Sequence, residues 1–251
     1  VSIGPVITDG NYQQFISQGA RGYQGFWLSD EDKKACKTFG DLGIPLIQES
    51  EWDEVMDQLE KAKATIYDLT IARNLPCKDQ GRTNYCWVNA PTHCCEIVRL
   101  METGRSISYS PASAGAIIKG FRNVGGWGSQ ALDYFREYGL NLSEDWPDNA
   151  IDRRYYTAEN QAAKAEHKTL EFYVLASWQE RVSCLLAGIP TADGYSWWGH
   201  EVIGAGIVKQ SHDLLIRNSW SMQWGDRGYG TLTGNRRFAD DSVAITAMTP
   251  L

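Results

Sequence analysis

Apolar residues recur at helical spacing in several stretches of this chain and then give way to short β-type runs after residue 190. Ser50-Glu51-Trp52-Asp53 reads as a capped start, and Trp52, Val55, Met56 and Leu59 follow on one face, which predicts a helix over about 51–63. Trp87, Ala90, Cys94, Ile97, Val98 and Met101 trace a second face ending before Gly104, with Pro91 inside it, where one hydrogen bond is lost and the axis should bend. A third helix is predicted from Ser129 to Tyr138, stopped by Gly139. A fourth opens at Ser177 with Glu180 three residues on and ends near Gly188-Ile189-Pro190. Beyond Pro190 the runs 191–197, 201–208, 214–217, 228–233 and 243–248 are separated by glycines and read as strands. The first 50 residues, punctuated by Gly10, Gly19, Gly22, Gly25, Gly40 and Gly43, have no clear period and read as irregular or weakly stranded; a loop carrying Pro76 and Gly81 follows Tyr67. Helices first and strands last predict an α+β protein with a helical lobe and a β lobe.

Composition narrows the function classes. The 251 residues are 43% hydrophobic and 22% charged, which is ordinary for a folded domain, and no apolar run approaches the roughly 20 residues that span a bilayer. Neither a membrane partner nor a secretory leader is expected from the numbered residues, although a removed leader stays open. A formal charge of -7 argues against nucleic acid as a partner, because phosphate binding needs a basic face. Residues 1–64 hold 11 acidic and 6 basic residues and form a compositionally separate, acidic piece. There is no internal repeat.

The six cysteines show no CxxC pair and no zinc spacing. His93, Cys94 and Cys95 look like a ligand cluster, but neighbours on a helix point about 100° apart and cannot close on one ion, so Cys94 and Cys95 read as small buried packing residues and no metal is expected. Cys86 differs because it stands where a loop enters a helix, and unpaired N–H groups at a helix start stabilise a thiolate. Of four histidines, His200 lies between Gly199 and an apolar run, at the start of a predicted strand.

The segment Cys77-Lys78-Asp79-Gln80-Gly81-Arg82-Thr83-Asn84-Tyr85-Cys86-Trp87 resembles the active-site segment of papain-like cysteine peptidases, with Gln, five residues, then Cys-Trp. Gly125-Gly126-Trp127, Gly199-His200 and the block from Arg217-Asn218-Ser219-Trp220 to Gly230 are similar, in the same order, to that family's cleft-lining strand, histidine strand and Asn-Ser-Trp block. The resemblance covers about residues 65–235. It implies a two-lobed fold with a helical lobe (about 80–150) and an antiparallel, barrel-like β lobe (about 170–251), the two enclosing a cleft. It further implies Cys86 as nucleophile, His200 as its ion-pair partner and proton carrier, Asn218 holding the imidazole, Trp220 shielding that bond, and Gln80 with the Cys86 N–H facing the oxyanion. Gly125, Gly126, Trp127, Asn84, Gly199 and Trp220 would line the substrate site, the substrate would be a peptide or protein, and no cofactor is implied.

Departures from that pattern carry their own expectations. Thr83 and Asn123 stand where the family usually has a disulfide pair, which suits a reducing, intracellular compartment of bacterial or phage type. Asn84 replaces a usual glycine and should crowd one wall; Ser221 and Gln223 replace glycines; Glu201 after His200 replaces a small residue and reads as structural, a specificity role being the other possibility. Residues 1–64 lack the helical signature of the common propeptide and read either as an intramolecular regulatory segment or as a structural addition. Related thiol amidase or acyl-transfer chemistry, and a non-enzymatic binding component on the same fold, are the competing functions.

Overall fold

A computed structural model describes residues 3–25, 34 and 36–250. Its centre is the helix Cys86–Thr103, buried around its whole circumference from Cys86 to Leu100, including the polar side chains of Asn89, Thr92, His93, Glu96 and Arg99. It starts at Tyr85, continues through Pro91, and closes at Gly104, whose left-handed backbone (φ 69°) lets its N–H reach Leu100 O at 2.8 Å. One side of this helix packs on the helices Pro111–Ile118 and Gly128–Glu137, and the other packs on the sheet.

The sheet contains β1 (Val6–Ile7), β2 (Thr169–Val174), β3 (Thr191–Tyr195), β4 (His200–Val208), β5 (Asp213–Arg217), β6 (Tyr229–Leu232) and β7 (Asp241–Met248). Its order is β1-β6-β5-β4-β3-β7-β2, an open sheet in place of the barrel-like closure expected. Neighbours are antiparallel except β1, which joins the edge parallel to β6 with Val6 opposite Thr231. At the other edge β2 meets the segment after Cys36, where Thr38 bridges Val174 in parallel and the Val174 N–H donates to Lys37 O (2.9 Å).

The expected helices appear as Trp52–Ala62, Cys86–Thr103, Gly128–Glu137 and Trp178–Leu186. The last carries the predicted reciprocal cap between Ser177 and Glu180. Several elements depart from expectation. Part of the stretch read as a loop is a helix, Ile66–Ala72, capped by Thr65; Pro111–Ile118 is a helix that is apolar all round and so gives no period; β2 was not anticipated. The described ends of the first 64 residues are joined to the core. Ile7 and Trp52 are buried, and the Trp52 indole donates to Ile47 O (3.1 Å) while meeting Trp178 edge-on. Among the described residues no helix is long and apolar enough to cross a membrane.

Candidate active site

Two distant stretches lie side by side at the start of the central helix. Ser221 N–H donates to Lys78 O (3.0 Å), Gln80 N–H donates to Ser219 O (2.9 Å), and Asp79 bridges to Trp220. Gln80 is fully buried; its side-chain oxygen accepts from the Ser219 hydroxyl (2.5 Å) and its amide nitrogen donates to Thr83 O (2.9 Å). Cys86 is the first residue of the helix and is also fully buried, with the backbone N–H groups of Glu201, Trp87 and Tyr23 against its sulfur. Glu201 directly follows His200, so thiol and imidazole share one end of β4.

His200 is oriented from several sides. Its Nε2 lies 2.7 Å from Asn218 Oδ1, and the same oxygen accepts from Ser219 N–H (2.8 Å). That second bond fixes which end of the Asn218 amide is oxygen, so the imidazole proton sits on Nε2. Nδ1, without a hydrogen-bond partner among the described residues, then carries the lone pair that can take a proton. The Trp220 ring stacks on the imidazole (4.6 Å between centroids, 29° between planes), and Trp198 meets it edge-on at 5.0 Å. A neutral form suits these surroundings. Burial pushes His200 down to about 4 against the favourable Asn218 bond, with Arg21 also lowering it. Burial, assisted by Glu201, pushes the Cys86 thiol up. In this covered state both groups are held uncharged, in contrast to the ion pair that the resemblance implies.

The cover is the chain's own segment 19–25. Gly126 N–H donates to Gly22 O (2.8 Å), Gln24 N–H donates to Gly126 O (3.0 Å), and Gly199 O accepts from both Gly22 and Tyr23 N–H (3.1 Å each). The indole of Trp127 donates to Gln24 O (3.2 Å) and that of Trp220 to Ala20 O (2.9 Å). A Cβ on Gly125 would stand 2.3 Å from Gly22 O, and one on Gly22 would stand 2.1 Å from Asn84 O. All six residues expected to line a substrate site therefore meet this one segment.

Sequence reasoning missed Tyr23 and the residues its side chain meets, Gly194 and Asp241. The Tyr23 ring is buried and its hydroxyl donates to Asp241 Oδ1 (2.6 Å). The signal lay in Gly19, Gly22 and Gly25, spaced three apart around that tyrosine, since glycines permit close backbone approach. Where a disulfide was expected to be lost, hydrogen bonds join the same loops: Asn84 N–H donates to Asn123 Oδ1 (2.6 Å), and the Asn123 amide donates to Arg82 O (3.1 Å). Glu201 is buried with its carboxyl against Gly128, so its side chain faces inward. Ser221, standing for a glycine, takes a left-handed φ of 71°. Cys94 and Cys95 are buried in the core, and His93 is bonded to Glu96 (2.7 Å).

No family model matches the chain. A probable cysteine protease of Arabidopsis thaliana is 28% identical over 187 residues, 63% of this chain and 51% of that protein. The chain spans about half the length of the curated relatives it matches. Among solved structures, xylellain, a cysteine protease from Xylella fastidiosa, superposes with a TM-score of 0.59 at 16% identity over 98% of this chain and 96% of that one. A digestive procathepsin L of Tenebrio molitor larval midgut gives a TM-score of 0.58 at 20% identity over 68% of this chain and 66% of that one. The fold is that of the papain-like cysteine proteases, and the curated relatives include proteases of that type.

Proposed function

We propose that this chain hydrolyses peptide bonds through Cys86, and that the segment 19–25 holds it latent. The observation that carries this reading is His200, held through its protonated Nε2 by Asn218, with Nδ1 unpartnered at the end of β4 where the Cys86 sulfur lies. When the segment leaves, water and substrate reach the pair. Hydration removes the burial that keeps both groups neutral, and the helix start favours the thiolate. The thiolate attacks the carbonyl carbon, His200 passes its proton to the departing amine, and water then cleaves the thioester to release the acid and restore the thiol. The N–H of Cys86 and the side-chain amide of Gln80 serve the oxyanion, a contribution of about 3 kcal/mol for one well-placed donor. Trp220 over the imidazole keeps water from the Asn218 bond.

In this reading residues 65–251 form the peptidase unit and residues 1–64 serve two purposes. Their ends, around Ile7 and Trp52, belong to the core, while the stretch around Tyr23 closes the cleft. Deleting the whole piece would confound stability with regulation, so point changes in the full chain are the sharper test. Tyr23→Ala and Gly22→Ala should each raise hydrolysis of a fluorogenic peptide mixture by about tenfold or more, because they remove a buried side chain or create a clash with Asn84 O. Both variants should lose all turnover with Cys86→Ala. Turnover that survives Cys86→Ala would sink the peptidase reading; rates unchanged by either point variant would sink the latency.

A further inference from the structure

The helix Gly128–Glu137 begins without a cap of its own. Trp127 stands at the cap position with no side-chain hydrogen bond, and the first turn holds no acidic residue, so the leading N–H groups need a partner from elsewhere in the fold. Glu201 supplies one from the sheet. Successive side chains on a strand point to opposite faces, so Glu201 points away from the face of β4 that carries His200, and its carboxyl is buried against the Gly128 N–H. A Cβ on Gly128 would stand 2.0 Å from Oε1 and 2.9 Å from Oε2, so only a glycine at the helix start lets the carboxyl come this close. The backbone N–H of Glu201 meanwhile lies against the Cys86 sulfur. One residue therefore meets the thiol through its backbone and, through its side chain, the helix that continues directly from Gly125-Gly126-Trp127, the stretch a peptide would pair with as an added strand. That stretch has a second seat: a Cβ on Gly126 would stand 2.6 Å from the ring of Trp87, which follows Cys86 in the central helix. Burial, with Asp241 and Asp193 adding to it, holds Glu201 well above the ordinary carboxyl range, so the group meets Gly128 as a neutral acid that accepts through a carbonyl oxygen, as an amide would.

We propose that Glu201 is a positioning residue: by capping the helix Gly128–Glu137 from β4, it sets the placement of the peptide-pairing stretch 125–127 relative to Cys86 and His200. The proposal rests on the peptidase reading above and adds what holds the substrate in register with the thiol. While the segment 19–25 is seated, its own bonds to Gly126 also hold the stretch, and they go when it leaves. Backbone pairing of a peptide is used in the ground state and the transition state alike, so a displaced stretch should raise KM and leave kcat, and a small reagent that reaches the sulfur without pairing should be unaffected.

The test uses the full chain carrying Gly22→Ala to unseat the segment. Glu201→Ala should raise KM for a fluorogenic peptide about tenfold, the loss of one buried hydrogen bond, with kcat and the rate of Cys86 alkylation by iodoacetamide within about twofold of the parent. Glu201→Gln, which keeps an oxygen for Gly128, should match the parent in all three. An unchanged KM in Glu201→Ala, a fall in kcat or alkylation as large as the rise in KM, or a glutamine variant as impaired as the alanine one would overturn the proposal. Gly128→Ala, whose Cβ takes the place of Oε1, guards against a Glu201→Ala chain that misfolds: it should raise KM by a similar factor, and an unchanged KM would again overturn the proposal. If no peptide is cleaved, that result counts against the peptidase reading alone. Amide hydrogen exchange at residues 128–131 of the otherwise unaltered chain then still decides the cap, with severalfold faster exchange expected in Glu201→Ala and parent-like exchange in Glu201→Gln; equal exchange in all three chains would overturn it.

Discussion

His93 and His200 are both completely enclosed, and burial drives both down to about 4, yet their partners fix the ring proton on opposite nitrogens. His93 faces Glu96 through Nδ1 (2.7 Å), and Glu96 is kept ionised by Lys78 at 2.6 Å, which also reaches Asp148 (3.1 Å) and Tyr109 O (2.6 Å). An ionised carboxylate only accepts, so the His93 proton is fixed on Nδ1 inside a buried ionic network that ties the central helix to neighbouring loops. His200 instead faces a neutral amide oxygen through Nε2 and has its proton there, which leaves Nδ1 as a base at the thiol's end of β4. Burial alone therefore says little about a histidine. The partner decides which nitrogen is free and whether the ring can carry a proton away.

This contrast is broken most sharply by removing each ring in turn. In a chain unseated by Gly22→Ala, His200→Ala should lower peptide hydrolysis by at least about a thousandfold, measured as kcat, while the circular dichroism spectrum is preserved. His93→Ala should behave in the opposite way. It leaves the buried Glu96 and Lys78 pair short of a partner and opens a cavity, so it should destabilise the fold by about 3 kcal/mol in urea denaturation with kcat per folded molecule close to that of the parent. A third, smaller effect sharpens the comparison through pH. Each ring has a folded pKa near 4, below its ordinary 6.5, so between these values the unfolded chain binds more protons and stability must fall as pH falls from about 6.5 to 4. Glu96, also held below its ordinary range, adds loss at lower pH still as it becomes protonated, once its contacts with Lys78 and His93 are disrupted. His93→Gln should flatten the slope of that loss, and His200→Gln should flatten it by a similar amount; a slope untouched by both would mean that neither ring is buried neutral.

Much of this architecture was legible in the residues themselves, and the reasons are local. The helices Trp52–Ala62 and Trp178–Leu186 announce themselves through one apolar face and a cap, and β3 to β7 through short runs between glycines. Cys86, His200, Asn218 and Gln80 stood out through sequence blocks, and the fold brings the four to one end of the central helix and β4. What stayed hidden depends on distant partners. β1 is two residues long and gains meaning only from β6, more than 220 positions later. Pro111–Ile118 is buried on every side and so lacks a polar face to reveal its turn. Tyr23 is met by Gly126 and Gly199 at its backbone and by Gly194 and Asp241 at its side chain, and no local pattern foretells that four such separate positions will converge on one residue.

The most direct test of the thiol and imidazole pairing is the pH dependence of Cys86 alkylation by iodoacetamide in the Gly22→Ala chain, read by peptide mass mapping against the other five cysteines. An activated sulfur should react selectively at Cys86, remain reactive well below the ordinary thiol range near 8.5, and lose that low-pH reactivity in His200→Ala. Labelling spread evenly over the cysteines, or a Cys86 profile identical with and without the His200 ring, would contradict the account.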